Sequence, residues 1–83
     1  MAFRYRELVL SELSRHGLKP GGQTPPEFAR EFVNDLYLYE IRALRKRMRA
    51  GLIPKGDYAK LVEELRKRYP ILSLPIAVWT EPD

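Results

Sequence analysis

The sequence predicts an all-α fold. It reads as one small helical domain over residues 1–83, with three helices, the second long. Helices two and three form an antiparallel hairpin, and an extended apolar C-terminal segment follows. Three observations predict this. Apolar residues recur at three- and four-residue spacing through three stretches. Gly17, Gly51 and Pro70 close those stretches. The period-two alternation after Pro70 is interrupted by Pro75 and has no second strand to join.

Helix one is expected over about 3–15. Tyr5, Val9 and Leu13 share a face, with Leu10 at its flank. Glu12 and His16 are four apart, a favourable pair when the imidazole is charged. The connector "GLKPGGQ" follows, and "TPPE" then announces helix two over 25–50. Thr24 is placed to cap the free amides, Pro25 to take the first helical position, and Glu27 to complete a capping box. Phe28, Phe32, Val33 and Leu36 are expected as a broad apolar face in its first half. The face then narrows to a seam of Tyr37, Ile41, Leu44 and Met48, suited to one helix-on-helix contact. Acids fill the first half and bases the second, which complements the helix dipole.

The turn "LIPKG" leads to helix three over about 57–69, where Tyr58, Leu61, Val62, Leu65 and Tyr69 form one stripe. Glu63 with Lys67 and Glu64 with Arg68 stand in the favoured order for ion pairs four apart. In the tail, 70–83, Leu72, Leu74, Ile76 and Val78 alternate with Ser73, Pro75, Ala77 and Trp79. Such an extended strip either straps across the helices or adds to a partner. The candidate protein interface is therefore Leu72, Leu74, Ile76, Val78 and Trp79. An intramolecular strap is the plainer reading of the tail, and a place in the core the plainer reading of Trp79.

Residues 41–69 resemble the short helical hairpins called SHOCT domains. The resemblance rests on Leu44, then Gly51-Leu52-Ile53, then Asp57-Tyr58, then Leu61. It implies a helix-hairpin interaction module rather than an enzyme.

Charge is unevenly placed. The net charge is +4, yet residues 42–69 hold ten bases against three acids, while 1–41 hold five bases against six acids. The run "IRALRKRMRAG" carries no acid, and no acid lies three or four residues from Arg42, Arg45, Lys46 or Arg49. The pairs Arg42–Lys46 and Arg45–Arg49 repel, each by ~0.2–0.5 kcal/mol. The helix dipole returns a comparable ~0.3–1 kcal/mol. Stability alone therefore does not require an anionic partner. With Tyr39 on the same edge, these five residues are the candidate surface for nucleic acid or an acidic protein partner.

Other chemistry finds no support. A chain without cysteine excludes disulfides and thiol catalysis, and points to the cytoplasm for so small a domain. The N-terminal stretch is no signal peptide, and no apolar run reaches the ~18 residues of a membrane span. One histidine and no cysteine leave no metal site, and no cofactor is expected. Ser11, Ser14, His16 and Glu12 lie on one helix and cannot converge with an oxyanion site. Two glycines in "KPGGQ" lack the P-loop spacing. The expectation is a non-enzymatic interaction or assembly module with a protein partner or self-association. The alternative is a small basic nucleic-acid-binding protein.

Overall fold

A computed structural model describes residues 2–82. Its helices are α1 (Glu7–Arg15), α2 (Pro26–Arg49) and α3 (Lys55–Lys67), followed by 3-10 turns at Pro70–Ser73 and Ile76–Val78. The fold is all-α, and α2 packs with α3 as a hairpin. Among the described residues no strand forms, only one antiparallel bridge between Tyr5 and Thr80.

Both expected glycine stops are present. Gly17 and Gly51 have φ of 83° and 79°. At each, the next amide reaches back to the carbonyl five residues earlier: Leu18 to Leu13 and Leu52 to Arg47, both at 2.9 Å. This is the Schellman closure, which needs a residue free to enter the left-handed region.

The helix starts differ from expectation. Helix α1 begins at Glu7 rather than Phe3, because the preceding backbone bonds to distant chain. Phe3 donates to Gly22 (2.7 Å), Arg6 donates to Trp79 (3.0 Å), and Arg4 accepts from Glu81 (2.8 Å). Helix α2 begins at Pro26, because a proline following Pro25 disfavours helical backbone there. The Thr24 hydroxyl accepts from the Gly21 amide (3.2 Å), closing a turn instead of the expected capping box. Helix α3 starts at Lys55, two residues ahead of expectation, directly after the extended Pro54.

The tail also differs. Its alternation does not produce an extended strip. Leu74 donates to Ile71 (3.2 Å), Val78 to Pro75 (3.0 Å) and Trp79 to Ile76 (3.1 Å), so three-residue turns replace the period of two. Pro70 and Pro75 fix φ near the value such turns need. The expected tail ran to Asp83, which lies outside the described residues.

The chain divides into two compact units. Unit 1 joins the chain up to Asn34 with the chain from Ile71, and unit 2 is Asp35–Pro70. Unit 1 buries Val9 and Leu13 from α1, Ala29 and Val33 from α2, and Ile71 and Trp79 from the tail. The Trp79 ring is fully buried and its Nε1 donates to the Leu74 carbonyl at 3.2 Å. The Tyr5 hydroxyl donates to the Thr24 carbonyl at 2.6 Å. Burial, then the Glu27 carboxylate, raise its pKa.

One core assignment is overturned. Phe28 and Phe32 do not line the core: they are 60% and 39% exposed. The buried face of this part of α2 is Pro26, Ala29 and Val33. That set continues the Tyr37–Ile41–Leu44–Met48 seam backwards at helical spacing. The two phenylalanines lie about 100° away from it.

Unit 2 is the hairpin. Ile53, Leu65 and Tyr69 are buried. Tyr37, Ile41, Leu44 and Met48 of α2, with Tyr58, Leu61 and Val62 of α3, are half-buried along the expected seam. Tyr37 meets Tyr69 edge-on at 5.3 Å between centroids. The Tyr69 hydroxyl donates to the Glu40 carboxylate. Burial first, then that bond and the Glu40 charge, push the Tyr69 pKa up to about 12. The folded value exceeds the ordinary 10, so the protonated form carries the stabilisation. That contribution is complete below pH ~10 and is lost as pH rises toward ~12. An ultraviolet phenolate titration is expected to show Tyr5 and Tyr69 titrating late, and Tyr69→Phe removes the component at about 12. A wild-type curve unchanged by the substitution refutes the assignment.

Candidate functional site

The continuous α2 places the basic run on one surface. At about 100° per residue, Arg42, Arg45, Lys46 and Arg49 fall within roughly a third of the circumference. All four are exposed, and Tyr39 beside them is 72% exposed. Arg42, Lys46 and Arg49 face outward from the hairpin, while Arg45 and Tyr39 each border a groove beside the seam that meets α3.

The neighbouring electrostatics differ from expectation. Unit 2 holds ten bases against five acids. Among the described residues none of those ten bases forms a salt bridge. The expected Glu63–Lys67 and Glu64–Arg68 pairs are not closed, so α3's charges are not self-neutralised. Exposed pairs are worth only ~0.2–0.5 kcal/mol, too little to hold two long side chains together. Glu12 does find a partner within unit 1, accepting from Arg15 at 3.0 and 3.1 Å.

A groove opens on each side of the hairpin seam. One is lined by Tyr39, Glu40, Ala43, Leu44 and Arg47 of α2 and by Leu61, Glu64, Leu65 and Arg68. Its two acids balance its two arginines. The other is lined by Tyr37, Leu38, Ile41 and Arg45, and by Tyr58, Ala59, Val62, Glu63 and Arg66. Here two arginines face a single acid. Sequence reasoning named Arg45 but left out Arg66 and missed this groove. Its signal was that the narrow seam leaves apolar flanks beside it.

The tail candidates separate. Trp79 is core, so it is unavailable as an interface anchor without unfolding unit 1. Leu72, Leu74 and Ile76 are half-buried, and Val78 is exposed. The five do not form one exposed strip, because the 3-10 turns bury Trp79, half-bury Leu72, Leu74 and Ile76, and leave Val78 exposed. Sequence reasoning also missed Phe28 and Phe32 as surface residues.

Among the described residues no three His, Cys, Asp or Glu side chains gather as a metal site. No described helix is long and apolar enough to cross a membrane. No family model, curated protein or solved structure matches the chain.

Proposed function

We propose that the chain is a non-enzymatic helical interaction module, and that the hairpin of unit 2 is its recognition surface. One observation carries this reading: ten exposed cationic side chains on a two-helix unit, none held in a salt bridge among the described residues. Such a surface repels itself, and a partner of opposite charge relieves that repulsion. The resemblance of residues 41–69 to SHOCT hairpins agrees with the same reading.

A second reading has its own support. Tyr39 stands free beside Arg42 and Lys46, an arrangement that suits phosphate contact with base stacking. One experiment tests both. The protein is titrated with single-stranded and duplex nucleic acid at about 50 and 200 mM salt, beside an R42E/K46E/R49E variant. Nucleic-acid binding predicts affinity that collapses with salt, and a duplex salt slope about 2.7 smaller in the variant. Protein recognition predicts indifference to nucleic acid together with a mass that rises with protein concentration. A constant monomer mass, no nucleic-acid binding at either salt level and no binding of an acidic peptide would together remove both readings.

A further inference from the structure

We infer that the α2–α3 groove bearing Arg45 and Arg66 is a docking site for a second copy of this chain, which inserts the Phe28/Phe32 face of its own α2. The inference rests on the interaction-module reading and names its partner.

The two surfaces lie in different units and each lacks an occupant in the single chain. Phe28 and Phe32, one helical turn apart, form an exposed aromatic pair at 60% and 39% exposure. Paired exposed aromatics on one helix face mark an interaction site more often than scattered ones do. Their flank is acidic: Glu27 and Glu31 are exposed and one turn apart. Arg30 lines the same shallow pocket as Glu27 and Glu31, and its Nη2 also donates to the Leu72 carbonyl at 3.5 Å, so two acids there stand against one base. The face is thus an amphipathic, acidic helix surface.

The receiving groove is its complement. Ile41, Tyr58 and Val62 give it a half-buried apolar floor. Arg45 on one wall and Arg66 on the other outnumber Glu63. The opposite groove of the hairpin is charge-balanced and offers an acidic helix no preference. Two hairpins cannot pair groove to groove easily, since unit 2 carries ten bases against five acids. Unit 1 carries five bases against six acids, so a unit 1 surface is the complementary one that a second copy provides. A helix laid in a groove is read through such anchors one turn apart.

The test is self-association of the full chain by sedimentation velocity from about 1 μM to 1 mM, the range of transient contacts. Wild type is expected to gain mass with concentration, more weakly at high salt. R45E/R66E alone and E27K/E31K alone are each expected to weaken association about tenfold or more. An equimolar mixture of the two variants recovers it, because opposite charges again face each other. Phe28→Ser with Phe32→Ser abolishes it, with circular dichroism unchanged since both residues are exposed. A wild type that stays monomeric overturns the inference, whether or not it binds nucleic acid. An oligomer indifferent to the charge swap overturns it while leaving the interaction-module reading intact. A monomer whose groove binds an acidic peptide overturns the second-copy assignment alone.

Discussion

Replacing Trp79 with alanine is expected to remove about 3–5 kcal/mol of folding free energy, the usual cost of truncating a buried aromatic. A chain of 83 residues carries about 4–12 kcal/mol in all. The substitution therefore removes about a quarter of the stability or more. The reason is local. Trp79 is the largest fully buried side chain among the described residues, in a unit that also buries Val9, Leu13, Pro26, Ala29, Val33 and Ile71. None of these is long enough to fill the space. The Trp79 carbonyl that accepts from Arg6 ahead of α1 is backbone and is kept by alanine, so the cost is that of the ring. Trp79→Phe keeps most of the ring and loses the bond to Leu74, a net of about 1 kcal/mol plus a smaller cavity. Urea unfolding of the three proteins gives the order wild type, W79F, W79A. Equal midpoints for W79A and wild type would show that the ring is not in the core.

The glycine stops were legible because a left-handed cap has few alternatives to glycine. The hairpin seam was legible because Tyr37, Ile41, Leu44 and Met48 repeat at helical spacing with charged residues between them. Starts were less legible. The first turn of a helix competes with any other carbonyl that reaches its amides, and the Gly22 and Trp79 carbonyls are remote in sequence. The tail misled for a related reason: alternating aliphatics fit a strand and a pair of 3-10 turns alike, and only tertiary partners decide. Of the candidate site, the outward face of α2 followed from helical geometry. The open state of the Glu63 and Glu64 pairs did not, because spacing permits an ion pair without making it favourable. The Phe28 and Phe32 error came from ranking residues by size. Extending the seam back from Tyr37 selects Val33, Ala29 and Pro26, which are the residues buried.

That seam makes a sharp contrast between neighbouring positions. Val33→Asp is expected to cost several kcal/mol, and Phe32→Asp to stay within about 1 kcal/mol of wild type. Val33 is fully buried, and among the described residues of unit 1 no buried charged side chain is there to pair with a new carboxylate. A buried carboxylate is driven toward its neutral form, so its folded pKa lies above its unfolded value. The sign follows: the unfolded chain ionises first as pH rises, so V33D loses further stability on going from pH ~4 to pH ~7. Phe32 is 39% exposed, so an aspartate there can reach solvent. Intrinsic helix preference does not separate the variants, since Phe, Val and Asp rank close together. Thermal or urea unfolding at two pH values reads both effects. If F32D is the more damaging change, the aromatic edge of α2 is the packed one, and no free Phe28/Phe32 surface exists for a second copy to use.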